Sequence, residues 1–425
     1  MKTNFLCHCL VSFFLACQAV ARAQPQVITL ADGTKLTLLG TTYGRRHLPL
    51  HFEDLPTRNE LYTGSNATVV WVQADHAPAQ WPNYELVVYD QAQTACVTSE
   101  KSTGSHVRAG EDIAGFLLDA FPRWDPAMLV RARPYRGVFG TGQFVITNPA
   151  PVTTADWTPE TLPQTKSDGD LEVTLASLTT GAPVPHWAGR NAAPPGDLDN
   201  QCVRLHFDWR QNGQPATNWF PWLVRTTDAV GNKVVRAIGG YPPQGVYAYP
   251  PKGKLDGYWY QPGLWPNEPA WKVRLEMTRS SGFTPAETVT FTNLPVRPGT
   301  QSDADEQWSR GDETTHFQFT AEAEVNGVHL RILPPLLIPD RFQPGRTNLS
   351  VLLYVDPTPI RQDMRLALLQ ATDQSGRAIT TPFNPDWAGH FSLDFPDPGN
   401  LKTLNLQLAL HQSRYVEFTV RPAKE

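Results

Sequence analysis

"VRTTDAVGNKV", Val224 to Val234, ends a β-prone run on Asp228 and turns the chain with a D-x-x-G spacing to Gly231. An aspartate at the first turn position accepts hydrogen bonds from the turn backbone, and a glycine three residues on supplies the positive φ that closes it. The pattern recurs as "LQATDQSGRAI" (Leu369 to Ile379), with Asp373 and Gly376, and as "LVVYDQAQTAC" (Leu86 to Cys96), where Gln93 replaces the glycine. A hairpin repeated three times at wide spacing is the signature of a duplicated structural unit.

Each copy has matching neighbours. Upstream lies an apolar run: "ATVVWVQAD" from Ala67, "CVRLHFDWR" from Cys202 and "LSVLLYVDP" from Leu349. Downstream, "DIAGFLLDAFP" (Asp112 to Pro122) matches "DWAGHFSLDFP" (Asp386 to Pro396), and "GYWY" at Gly257 to Tyr260 stands in the same place. An alternating strand follows: "AMLVRARPYR" from Ala127, "AWKVRLEMTR" from Ala270 and "TLNLQLALHQ" from Thr403. Its period of two predicts inward faces of Met128, Val130 and Ala132, of Trp271, Val273 and Leu275, and of Leu404, Leu406 and Leu408. The copies close on "FVITN" (Phe144), "VTFTN" (Val289) and "VEFTV" (Val416).

Six or seven short strands per copy predict an all-β chain of three tandem β-sandwich domains, at 26–150, 168–297 and 313–425. Polar, Pro-rich linkers, "PETLPQTKSDGD" and "RPGTQSDADEQWSRGDE", separate them. The layout is similar to the immunoglobulin-like modules of secreted and surface proteins. The similarity is architectural, since the paired cysteines flanking a tryptophan are missing.

The N-terminus supplies Lys2, an apolar core from Phe5 to Ala16 and a small-x-small site at Ala21-Arg22-Ala23. This predicts a signal peptide over residues 1–23 and a secreted, periplasmic or cell-surface protein. An uncleaved anchor and a lipoprotein processed at Cys17 are the alternatives. No later apolar run is long enough to span a bilayer. Cleavage leaves Cys96 and Cys202, expected as buried free thiols, so the cores must supply the stability. With 425 residues, 18% charged residues and a net charge of -5, the chain has no general attraction for nucleic acid.

Catalytic signatures are absent: there is no H-E-x-x-H, G-x-S-x-G or P-loop, so no catalytic residue and no cofactor is expected. Two clusters carry metal-ligating residue types. His47, His51, Glu53 and Asp54 crowd together, but Pro49 opposes a shared helix face. Asp303, Asp305, Glu306, Asp312 and Glu313 lack the spacing of a calcium loop. Neither is taken as a metal site, and Arg310-Gly311-Asp312 is read as coincidence. Asn66-Ala67-Thr68 and Asn348-Leu349-Ser350 spell glycosylation sequons.

The one unusual segment is "GGYPPQGVYAYPP", Gly239 to Pro251. Its prolines restrict the backbone and would present Tyr241, Tyr247 and Tyr249 at low entropic cost, which makes them candidate ligand contacts. Trp259 with its tyrosine neighbours, and Trp265, read instead as scaffold. The expected function is therefore a non-catalytic modular protein with an extracytoplasmic binding or spacer role, its partner an extracellular glycan or a surface protein. The alternative is a carbohydrate-binding or polysaccharide-acting protein that uses the three tyrosines.

Overall fold

The computed structural model describes residues 25–47, 61–75, 84–93, 95–99, 106–108, 111–118, 120–134, 138–149, 154–180, 203–237, 254–260, 264–265, 268–309, 318–339, 345–356, 363–379, 390–396 and 401–424. The expected signal-peptide segment lies outside them, as do His51, Glu53, Asp54, Arg310-Gly311-Asp312, Tyr241, Tyr247 and Tyr249. The chain is nearly all β, and the described residues form six sheets. These face one another across three main hydrophobic cores. Sheets pair this way because a strand with alternating apolar residues has one face to hide.

In the first sandwich, the strand Leu61–Ala74 pairs with Lys35–His47 and with Glu111–Leu118, while Tyr84–Tyr89 pairs with Ala127–Pro134. Phe144–Thr147 closes the second sheet against Ala127–Pro134. The expected inward residues are inward: Met128, Val130, Ala132, Trp271, Val273, Leu275, Leu404, Leu406 and Leu408 are all buried. Each Asp turn also forms as read. The amides of Gln93, Gly231 and Gly376 donate to the carbonyls of Asp90, Asp228 and Asp373 at 3.0, 3.1 and 3.0 Å. All three donors have positive φ, at 62°, 92° and 81°, so Gln93 adopts the conformation that glycine takes in the other copies. Gly115 faces Trp71 across the strand pair, and a Cβ there would lie 2.8 Å from the indole.

The second and third sandwiches are wired differently from the sequence ranges 168–297 and 313–425. The strand Thr288–Pro295, expected to close the second copy, pairs with Thr403–Gln412 in the third core. The strand Arg414–Val420, expected to close the third, pairs with Trp271–Arg279 in the second. Val416, Phe418 and Val420 accordingly lie in the second core, and Phe291 and Leu294 in the third. The third sandwich is thus a continuous insertion before the strands Arg414–Val420 and Ala423–Lys424 of the second. Relative to the first, it is circularly permuted, because its closing strand comes first in the chain.

The expected linkers are also structured. Gln164–Asp168 forms a hairpin with Leu171–Thr180, so the second core begins before residue 168. The Glu160 amide donates to the Thr419 carbonyl at 2.9 Å and the Gln164 side-chain amide to the same oxygen at 3.2 Å, which lays this segment along Arg414–Val420. In the acidic linker, Arg297–Pro298 adds to the third sandwich, and Gln301–Ser309 is an α-helix. Thr300 and Asp303 cap that helix reciprocally: Asp303 Oδ2 accepts from the Thr300 amide at 2.7 Å and Thr300 Oγ1 from the Asp303 amide at 3.2 Å. The density of charge in this run reads as solvated linker and hides the cap.

Candidate functional site

Tyr241, Tyr247 and Tyr249 belong to a connection whose two ends are visible. It leaves Lys233–Ala237, an edge strand beside Trp219–Asp228, and arrives at Lys254–Tyr260, which pairs with Val203–Gln211 in the facing sheet. The candidate segment therefore connects the two sheets of the second sandwich. Of the neighbouring aromatics, Tyr258 and Tyr260 pair in register with the buried Leu205 and Val203, and Trp259 with Arg204. Trp265 is fully buried in the second core and meets Trp124 of the first sandwich edge-on, ring centroids 5.2 Å apart. It is scaffold, as its place in the repeat implied.

The sequons lie within strands. Thr68 and Leu349 are both fully buried there, so neither sequon stands on an open loop. Among the described residues no group of His, Cys, Asp or Glu has the arrangement of a metal site.

What the structure does assemble is buried polar chemistry at two joints, neither of which the sequence reading anticipated. At the first, the Asp228 turn of the second sandwich reaches the segment 120–126 that leaves the first. Asp228 Oδ1 accepts from the amides of Val230 at 3.2 Å and Asn232 at 2.7 Å, and Oδ2 accepts from Asn232 Nδ2 at 2.7 Å. That fixes the Asn232 amide so that its oxygen faces the other way. There it accepts from the Phe121 amide at 3.1 Å and from Arg123 Nε at 2.9 Å. Arg123 donates onward to the Tyr43 hydroxyl at 3.2 Å and stacks on the Phe121 ring. Asn148 Nδ2 holds the segment from behind, bonding the carbonyls of Arg123 and Asp125.

Asp228 and Asn232 are fully buried, Arg123 is 5% exposed and Glu268 8%. Burial pushes the Asp228 carboxyl up to about 6, against the hydrogen bonds from Asn232. Burial and then the Asp228 charge push Glu268 up to about 7. The homologous Asp373 lies at the other extreme. Held chiefly by the Ser375 hydroxyl, and by the Ser375 and Arg377 amides, its carboxyl falls to about 2. One turn motif thus serves two tasks, a self-contained turn in the third sandwich and an inter-sandwich contact in the second.

The second joint follows from the inserted topology. On Trp271–Arg279 the outward residues Glu276 and Thr278 are buried, and so is His411 on Thr403–Gln412, because each sandwich covers the other there. Arg365 pairs with both Glu276 oxygens, at 2.5 Å and 2.7 Å. Glu276 Oε1 also accepts from the hydroxyl of Ser413, the single residue between the two strands, at 2.8 Å. His411 Nε2 lies 3.0 Å from Thr278 Oγ1, and Phe283 packs on its ring. Burial pushes His411 down to about 4, so the ring is neutral at physiological pH. Arg279 pairs with Glu287 in the connection and stacks on Phe283 and Trp219.

Asp228, Asn232, Glu276 and His411 are buried, and their hydrogen bonds link segments of neighbouring sandwiches. The sequence holds one usable clue to the first joint, Asn232 following the Asp228 turn. The partner residues Arg123 and Glu268 carry no local signal.

No protein-family model matches the chain, and neither does any curated protein. Among solved structures, the chain is similar to E. coli alpha-2-macroglobulin in its native conformation, with 10% identity and a TM-score of 0.12, over 83% of this chain and 20% of that one. The chain spans about a fifth of that protein's length, and at this TM-score the likeness carries no argument. Among the described residues no helix is long and apolar enough to cross a membrane.

Proposed function

We propose that the chain is an exported, non-catalytic protein of immunoglobulin-like sandwiches that acts as a spacer or binding scaffold outside the cytoplasm, in a secreted, periplasmic or cell-surface setting. The observation that carries this reading is the construction of the joints. A flexible string of binding modules needs only solvated linkers. Here each junction instead contains hydrogen-bonded groups removed from water, and the strand Arg414–Val420 of the second sandwich follows the whole of the third in the chain. Breaking one partner away leaves a buried polar group unpaired, which favours a fixed orientation over independent movement. Connections such as 238–253 are then the surfaces for an extracellular glycan or surface protein.

Donor and acceptor dyes on the first and third sandwiches test the spacer role. A single narrow transfer distribution, unchanged by viscosity, supports it. A broad distribution of freely jointed units refutes it. The carbohydrate reading has its own test. Retention on insoluble polysaccharide that vanishes in a Tyr241/Tyr247/Tyr249 triple alanine variant supports it, and absence of retention counts against it.

A further inference from the structure

We propose that the outward face of the sheet built on Trp219–Asp228 and Trp271–Arg279 is a binding site for a uronate-bearing polysaccharide, with Arg225 and Arg274 as its carboxylate contacts. The inference rests on the glycan-binding half of the proposed function, but it places the site on a sheet face instead of on Tyr241, Tyr247 and Tyr249. Strand register fixes that face. Arg225 lies between Val235 on Lys233–Ala237 and Arg274 on Trp271–Arg279, and Arg274 lies between Arg225 and Glu417 on Arg414–Val420. All four side chains of this row are exposed. On one side of it stand Lys233, Thr227, Lys272 and Thr419, and on the other Leu223, Glu276 and Tyr415.

Two arginines directly opposite one another hold like charges on Cβ atoms about 5 Å apart, which destabilises a strand pair until an anion lies between them. The carboxylate in register does not supply that anion. Glu417 pairs with Lys272 Nζ at 3.3 Å, and the Arg274 guanidinium lies instead over the Tyr415 ring, 4.3 Å from its centroid. Among the described residues neither Arg225 nor Arg274 has an acidic partner. Glu276 is taken by Arg365 and Ser413, and Asp168 accepts from the Tyr415 amide. The segment 238–253, which follows Lys233–Ala237, contains Lys252 and no Asp or Glu.

The borders select the occupant. On one side the Trp157 ring lies 4.8 Å from Lys272 Nζ, with the exposed Asp156 before it. On the other, Glu276 is buried against Arg365 of the third sandwich. Lys272 and Glu276 are four residues apart on one strand, about 13 Å. A strip of that width takes a single chain laid across the strands, whereas a flat bilayer rests on its borders. A peptide binds a sheet chiefly through edge backbone groups, and this face offers side chains only. The guanidinium forks match carboxylates, and Tyr415 and Trp157 present aromatic surface to the apolar faces of sugar rings.

The test is isothermal titration of the full chain with sodium alginate oligosaccharides. Arg225→Gln and Arg274→Gln are each expected to weaken binding about three- to tenfold, and the two together by more than about tenfold. Arg210→Gln, which removes an exposed arginine from the facing sheet, should leave binding unchanged. The Tyr241/Tyr247/Tyr249 triple alanine variant should also keep wild-type affinity, which separates this site from the tyrosine reading. Absence of alginate binding overturns the proposal, as does wild-type affinity in the double arginine variant or an equal loss in Arg210→Gln. Tighter binding of poly-L-glutamate, carboxyl-reduced alginate or phosphatidylserine vesicles overturns it too. Loss in the tyrosine variant alone assigns the glycan to that segment instead. Should the double variant not fold, the two single variants decide, and the dye distribution that judges the spacer role is independent of either result.

Discussion

Exchanging Asp228 and Asn232 tests whether the first joint is held by a directional chain of hydrogen bonds. In the native order every donor meets an acceptor: Asn232 Nδ2 faces Asp228 Oδ2, and Asn232 Oδ1 faces Phe121 N–H and Arg123 Nε. Asp228→Asn alone puts an amide N–H against the Asn232 amide N–H. Flipping Asn232 only moves the conflict to Phe121 and Arg123. Asn232→Asp alone sets a carboxylate oxygen against Asp228. The double exchange restores every pair. The amide introduced at position 228 would donate to one oxygen of the carboxylate introduced at position 232, whose other oxygen accepts from Phe121 and Arg123. Each single variant leaves one buried group mispaired, at a cost of about 1–3 kcal/mol. The single Asp228→Asn variant is a poor readout by itself, because it also removes a buried charge, which is worth up to about 3 kcal/mol in the opposite direction above pH 6. The coupling energy of the cycle cancels that term. We expect the double variant to be more stable than the sum of the singles by about 3 kcal/mol. The assay is urea unfolding at pH 7.5, following the tryptophan fluorescence of the Trp124–Trp265 contact. Additivity to within about 0.5 kcal/mol would refute the reasoning, because it would mean that the amide orientation does not matter.

Phe418→Ala removes a fully buried ring that packs 6.3 Å from Phe207 and is expected to destabilise the second sandwich by about 3–5 kcal/mol. Peptides from 203–237 should then exchange faster while those from 349–356 stay protected, although Phe418 follows the third sandwich in the chain. Glu276→Gln leaves the partly buried Arg365 without its charge partner and should cost about 2–3 kcal/mol, read as a lower unfolding midpoint, with early loss of protection at Thr278 and His411. The second joint should weaken in acid. His411 is held neutral down to about pH 4 when folded, whereas in the unfolded chain it charges near 6.5. Stability there is complete above 6.5 and declines by up to about 3 kcal/mol as pH falls to 4, a slope that His411→Gln should remove.

The repeat made most of the fold legible. Inward faces such as Leu404, Leu406 and Leu408 followed from a period of two, and the Asp turns from a rule about φ. The joints were not legible, because Arg123, Asn232 and Glu268 come from separate segments and meet only after folding. Tyr241, Tyr247 and Tyr249 stand out by composition alone, and the described residues fix only the two strands that their segment connects.

The exchanged strands are a different case, because the observed strand ends explain them. "VTFTN" and "VEFTV" are alike enough to close either core, so similarity could not say which closes which. Chain reversal could. An antiparallel neighbour needs a loop of about two residues or more. Thr403–Gln412 and Arg414–Val420 are separated only by Ser413, which is too short a connection for the second to fold back on the first. The phase of burial agrees: Leu404, Leu406, Leu408 and Leu410 are buried, and so are Val416, Phe418 and Val420, all on even numbers through the break. These two strands are one long run that leaves the third core and enters the second, and Ser413, tied to Glu276, marks where it crosses. By contrast, eight residues separate Arg279 from Thr288, ample for the chain to move to a new core. With the strand ends observed, connection length therefore rules out Arg414–Val420 as a hairpin partner of Thr403–Gln412, in keeping with its pairing to Trp271–Arg279.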